Sequence, residues 1–349
     1  MAEFLELLIT FMKDHYIKFG ITLGSSLLFW LGRKYFNGTM SPITKSMENK
    51  TIIITGSNSG IGRETAAELL AQGANVIFAC RSKERALAAI ESLPEESRKR
   101  ATFIQVDLCD FNSIYNFTQE FRKLNKPIDI LINNAGLFQS EFGTTKDGIE
   151  VTFQANHFGP KVLTFLLFDL MNKNEAKIIN VASIANSYAT YRDNDFKRLQ
   201  SDLFFKDESK NFSMMTYYRN SKLMNVYFTQ HLAEICENKY PYIKTTCLHP
   251  GFIISDIFNN SSFGLKVLFY LCYPLLWYIS KSPKKGAQTT LYLCYEDFKK
   301  IQNGEYYADC KRTELKEHVK SLENRAEAIK WSYMVLDKAL EGKFELPKL

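Results

Sequence analysis

No uncharged run in this chain reaches the roughly 20 residues that a helix needs to cross a bilayer perpendicularly. With a mean hydropathy of -0.20, that excludes a polytopic membrane protein, though not one or two local membrane contacts. A strong charge of one sign is also missing. The 44 basic and 38 acidic residues leave +6, spread along the chain without the basic stripe or helix that a nucleic-acid partner requires. Proline is scarce, at 9 residues against 27 Phe and 18 Tyr, so bulky core material is plentiful. No two of the seven cysteines (Cys80, Cys109, Cys236, Cys247, Cys272, Cys294, Cys310) form a CxxC, and their number is odd. Neither a disulfide framework nor a zinc site is expected, and a reducing compartment is. There is no internal repeat and no low-complexity tract. The length of 349 residues fits one large domain with appendages, and 46% hydrophobic residues exclude a wholly disordered chain.

The N-terminal 46 residues differ from the rest. Phe19 to Gly32 (FGITLGSSLLFWLG) carries no charge, and Arg33 and Lys34 close it. Although short, a tilted helix from about Tyr16 to Phe36 spans if Lys18 and Lys34 snorkel to the headgroups, so residues 1–46 are expected to be a hydrophobic membrane-anchor helix and linker. No A-x-A-like site marks a cleaved signal peptide. The basic flank Arg33, Lys34, Lys45 and Lys50, opposite Glu3 and Glu6, puts the main domain on the cytosolic side of a membrane. The endoplasmic reticulum is the expected one.

From Lys50 onward short β-branched runs alternate with helical stretches: Thr51–Thr55, Asn75–Cys80, Thr102–Val106, Asp129–Ile132, Lys177–Val181 and Lys244–Leu248. This βαβ alternation predicts an α/β fold, a doubly wound parallel sheet covered on both faces, over residues 47–312. Residues 313–349 read as a charged helical tail on the domain's edge.

The first strand runs into Gly56-Ser57-Asn58-Ser59-Gly60-Ile61-Gly62 and then into a helix. Glycines there permit a tight turn and close approach of backbone N–H groups to a pyrophosphate, which the helix N-terminus also favours. At the tip of the second strand an NAD-selective site would place an acid. The chain has Cys80-Arg81-Ser82-Lys83-Glu84-Arg85 instead. Arg81 can pair with a 2′-phosphate, with Arg63 near enough in sequence to help, and NADP(H) is the expected cofactor.

Together these motifs resemble the short-chain dehydrogenase/reductase family, in its retinol-dehydrogenase-like, membrane-associated branch, with a Rossmann-type fold. After the glycine loop and ACRSKER come Val106-Asp107-Leu108, NNAG at Asn133–Gly136, NHFGP at Asn156–Pro160, NVAS at Asn180–Ser183, YRNSK at Tyr218–Lys222 and HPG at His249–Gly251. Singly each is weak; eight in order are not. The resemblance implies that Asp107, with Leu108, receives the adenine, that Asn134, Ala135 and Gly136 pass close to the cofactor, and that Pro250 and Gly251 wall the nicotinamide carboxamide. Ser255 stands where the family has a threonine.

It also implies a catalytic set of Asn156, Ser183, Tyr218 and Lys222. Tyrosine has a pKa near 10 and needs help to exchange protons near neutrality. Lys222, four residues on, shares a helical face with Tyr218, lowers its pKa and binds the nicotinamide ribose. Tyr217 lies about 100° away around the helix and is expected to pack or to line the substrate pocket. Ser183 would hold the substrate oxygen, and Asn156 a water that relays protons through Lys222.

The 35 positions from Ser183 to Tyr218 are more than the family usually has, so 184–217 reads as an enlarged loop. Phe263–Ser280, within an apolar lid near 256–282, suits a lipophilic aldehyde, ketone or alcohol: retinoid, sterol or fatty aldehyde. An NAD-linked hydroxysteroid dehydrogenase and a non-catalytic dinucleotide sensor stay as alternatives, and a homodimer stays open.

Overall fold

Thr51–Thr55 (β1) is buried at every position, and its alternate side chains enter two different cores. Ile53 faces one and Ile52 and Ile54 the other, as the two-residue period of a strand covered on both faces requires. Asn75–Cys80 (β2) repeats the arrangement, with Ile77 opposed to Val76 and Phe78. The computed structural model describes residues 1–189, 213–253, 272–347 and 349.

The sheet continues through Ala101–Gln105 (β3), Ile130–Asn133 (β4), Ala176–Val181 (β5), Ile243–Leu248 (β6), Tyr306–Ala308 (β7) and Lys311–Arg312 (β8), in the order β3-β2-β1-β4-β5-β6-β7-β8. All pairs are parallel except β7 with β8. The six strands expected from β-branched runs are present within a residue or two. The last two, three and two residues long, carry no such run.

One face is covered by Phe111–Arg122 (α4), Gly159–Leu167 (α5) and Met214–Lys239 (α6), which contribute Phe111, Phe117, Phe165 and Phe228 to its core. The other is covered by Gly60–Ala71 (α2), Lys83–Glu91 (α3) and Gln288–Tyr295 (α7), through Leu69, Leu70, Ala86 and Leu291. Leu322–Ala339 (α8) belongs to the first core rather than to a solvated edge. It buries Trp331, Ser332, Val335 and Leu336, with Ser332 fully inaccessible.

Ala2–Phe36 (α1) precedes the sheet. Among the described residues no helix is long and apolar enough to cross a membrane. The expected transmembrane helix is therefore not supported: charges at Lys18 and Arg33 bound an apolar stretch too short to span. The end of α1 packs on residues 272–281 instead. Arg33 donates to Ser280 O at 2.7 Å and lies 4.8 Å over the Trp277 ring, while Tyr278 Oη donates to Phe29 O. Leu27, Leu28, Phe29, Trp30 and Leu31 are exposed, as are Leu275 and Trp277 nearby in the same assembly.

Candidate active site

Strands β1, β4, β5 and β6 all end at one edge of the sheet, and a cleft of about 520 Å³ lies there, where ligands bind in such sheets. The turn after β1 is tight because Gly56 and Gly60 adopt φ of 67° and 54°, the left-handed region glycine enters without strain. At Gly62 the reason is contact: a Cβ there would stand 2.4 Å from Gly56 O. Ser59 caps α2 without a side-chain bond, which leaves first-turn N–H groups to an anion.

Gly56, Asn58, Ser59, Gly60, Ile61 and Gly62 line the cleft. Ser57 does not. Its buried hydroxyl turns inward to donate to Ile54 O, stiffening the loop from beneath. Thr55, which sequence reasoning passed over, does as much: its Oγ1 accepts from the N–H groups of Asn134 and Ala135, at 3.0 and 2.9 Å. Asn134 Nδ2 in turn donates to Thr55 O at 2.8 Å. The two loops are thus stitched together, and Asn134, Ala135 and Gly136 form the adjoining wall.

Arg81 lines the cleft, and so does Arg85, one turn into α3. Arg63 is not in the lining; its guanidinium donates to Ser92 and pairs with Glu64. Asp107 and Leu108 are also absent from the lining. Asp107 Oδ1 accepts from Cys109 N at 2.9 Å, so this carboxylate orders its own turn, and Leu108 is buried against Gly159.

Ser183, at the end of β5, caps the short helix Ile184–Tyr188 by accepting from Ala185 N. Its side chain is hydrogen-bonded to Tyr218, which α6 projects into the cleft. Burial raises the Tyr218 pKa, and the bond to Ser183 acts against it. The lowering by Lys222 expected from sequence is not seen. Lys222 Nζ lies 5.9 Å from the Tyr218 ring centre and donates to Val181 O at 3.0 Å, and burial pushes its own pKa down to about 8. Tyr217 turns into the core against Phe153 and does not line this cleft.

Asn156 is fully buried behind this group, not in the lining. It lies in a π-helical turn, Gln154–Phe158, where Gly159 N–H reaches back five residues to Gln154 O. Its side chain is committed: Oδ1 accepts from Leu137 N, and Nδ2 donates to Leu137 O and Ser221 Oγ. Gly136 is pinched between Lys222 and Asn156, so that a Cβ would stand 3.0 Å from Lys222 Nζ.

Pro250 and Gly251 close the far wall with Phe252 and Ile253. Gly251, at φ 94°, donates its N–H to His249 Nδ1. Ser255 and most of the expected lid, residues 254–271, lie outside the described residues, as do 190–212 of the enlarged loop.

Burial, then Lys281, pushes the His249 pKa from 6.5 down to about 4. Below pH 6.5 the unfolded chain therefore takes a proton that the folded one refuses, and stability is lost as pH falls toward 4. Glu150, raised by burial to about 7, works in the opposite sense over the same range, so the readout is a difference. His249→Asn, which keeps an acceptor for Gly251, is expected to lose less melting temperature between pH 7 and pH 5 than wild type does. Parallel thermal melts check it.

A doubly wound sheet with a glycine-lined cleft across its carboxyl edge defines a dinucleotide-binding protein. The short chain dehydrogenase family model matches residues 50–192. Retinol dehydrogenase 12 of Mus musculus is 33% identical over 286 residues, covering 80% of this chain and 84% of that protein. Retinol dehydrogenase 14 of Homo sapiens is 36% identical, covering 77% of this chain and 81% of its own. The chain belongs to the short-chain dehydrogenase/reductase family, whose members are oxidoreductases that bind a nicotinamide dinucleotide, and it is retinol-dehydrogenase-like. A crystallised short chain dehydrogenase from Burkholderia cenocepacia, in complex with NADP, shares the fold with a TM-score of 0.57 at 23% identity, over 75% of this chain and 96% of its own.

Proposed function

We propose that the protein is an NADP(H)-dependent reductase of lipophilic aldehydes or ketones, reversible as an alcohol dehydrogenase, with Tyr218 as its acid and base. The observation that carries this is the span of one cleft: Arg81 and Arg85 reach it from the tip of β2, and Ser183, Tyr218 and Lys222 from β5 and α6. Between β2 and β5 lie three strand spacings, about 14 Å at about 4.8 Å each, which suits an extended dinucleotide. The first turn of α2, left without a side-chain cap at Ser59, and the open space beside Gly60, where a Cβ would meet nothing within 4 Å, fit a cofactor passing close to backbone.

A reduced nicotinamide in this cleft supplies the hydride. Tyr218 Oη donates the proton to the carbonyl oxygen, and its raised pKa keeps it a phenol, the form that can donate. Ser183 Oγ holds the same oxygen by a hydrogen bond as its negative charge grows. Lys222, fixed on Val181 O, supplies an ammonium to cofactor hydroxyls and to a Tyr218 that has lost its proton.

Leu137, Phe138, Ile184, Met215, Phe252 and Ile253 give the cleft an apolar side suited to a lipophilic carbonyl, and the names of the relatives point to retinoids first. The exposed apolar side chains of α1 and of Leu275 and Trp277 support contact with a lipid surface without a span.

The test follows NADPH and NADH consumption by the full chain with retinal, long-chain aldehydes and oxo-steroids. Turnover with NADPH and at least one of the first two classes is expected. Turnover with NADH and oxo-steroids alone would replace this reading with a hydroxysteroid dehydrogenase.

A further inference from the structure

The π-turn that holds Asn156 has a cause in the sequence. Pro160 lacks an N–H, so Asn156 O, four residues earlier, loses the donor that an α-helix would give it. Asn225 of α6 replaces it, with Nδ2 donating to Asn156 O at 2.9 Å. That bond fixes the amide's orientation, since a carbonyl only accepts, and Asn225 Oδ1 must then face His157 Nδ1, 3.2 Å away. The Nδ1 atom therefore carries the proton, and Nε2 is left as an acceptor for the hydroxyl of Ser332 on α8, also at 3.2 Å. Ser332 Oγ can give that proton because it receives one from Lys161 Nζ at 2.8 Å.

Every bond in the series thus donates in one direction, from Lys161 through Ser332, His157 and Asn225 to Asn156 O. Lys161, His157 and Ser332 are fully buried, and the ammonium lies 3.7 Å over the Tyr333 ring. Burial and Lys161 hold the His157 pKa down to about 3, so the ring stays neutral and keeps one donor and one acceptor.

We infer that His157, set by Ser332 of the C-terminal helix, is a positioning residue for the active site: it orients Asn225, which secures Asn156 and with it Leu137 and the Gly136 turn beneath Lys222. This rests on the reading of Tyr218 and Lys222 as catalytic. It gives α8, far along the chain from every motif, a part in the geometry of the cleft.

Two substitutions of His157 separate this role from packing. Asparagine can place an amide N–H where Nδ1 stood and keep the donor to Asn225. Leucine fills an apolar core better but donates nothing. Positioning predicts that His157→Leu lowers kcat by about thirtyfold or more, with KM for NADPH nearly unchanged, while His157→Asn stays within about threefold of wild type. Packing predicts the reverse order, and that result overturns the inference.

Hydrogen exchange at the Leu137 amide, which donates to Asn156 Oδ1, reads the same network without turnover. It should quicken in His157→Leu, and in Ser332→Ala if the leucine variant does not fold, and hold steady in His157→Asn. If wild type proves inactive on every carbonyl, the functional reading fails, and the exchange pattern still decides the network. Unchanged exchange in both His157→Leu and Ser332→Ala sinks it.

Discussion

Tyr218→Phe is expected to lower kcat about a thousandfold or more while NADPH affinity stays within about twofold, because only the proton donor is removed. The ring itself is kept, with its edge contact to Phe138 at 5.2 Å between centres and its place on α6. Ser183 loses a partner but still accepts from Ala185 N, so the turn after β5 keeps its shape. The measurement is single-turnover NADPH oxidation beside NADPH binding by equilibrium dialysis. A variant that binds and turns over within tenfold of wild type would take the acid role away from Tyr218. Loss of binding together with turnover would mean that the phenol is structural.

The second large effect concerns the cofactor's phosphate. Arg81→Ala with Arg85→Ala is expected to raise KM for NADPH about a hundredfold or more and leave KM for NADH within about threefold. A charge-assisted bond from each guanidinium is worth about 1.5–3 kcal/mol, and both are lost together. The contrast with NADH matters more than the loss, since a general disturbance of α3 would weaken both cofactors alike. Ser82, which caps α3 by accepting from Arg85 N, is left intact and keeps the helix start in place. Equal weakening of both cofactors would move the arginines from specificity to scaffold. No change in either would leave NADP(H) preference without a structural basis.

Much of this was legible from residue types and order. Six strands announce themselves as β-branched runs, because all but the edge strand β3 are buried along nearly their whole length, where β-branched and apolar side chains predominate. Gly56, Gly60 and Gly62 could be read because their need is local, a turn and a close helix start. The pairing of Tyr218 with Lys222 could be read because one helical turn puts them on one face.

What did not read was the direction each side chain takes, set in some cases by the local turn and in others by distant residues. Ser57 belongs to the glycine loop by position but turns under it. Arg63 and Arg81 look alike as basic residues near a phosphate, yet Ser92 draws off Arg63. Asp107 holds its own turn through Oδ1. Lys222 was expected to lower the Tyr218 pKa, but the ammonium is turned to Val181 O and burial prevails. The apolar stretch of α1 invited a span, and the structure gives its end partners on residues 272–281 instead.

By itself, then, the sequence determined the parallel sheet, the edge at which its cleft opens and most of the residues brought to it, since periodicity and turn chemistry act within a few residues. Only the tertiary structure decided which of them face the cleft and which serve as struts. It also decided that a helix from the far end of the chain reaches Asn156 through Ser332 and His157. Those outcomes depend on hydrogen bonds between residues as much as 175 positions apart, and no local pattern carries them.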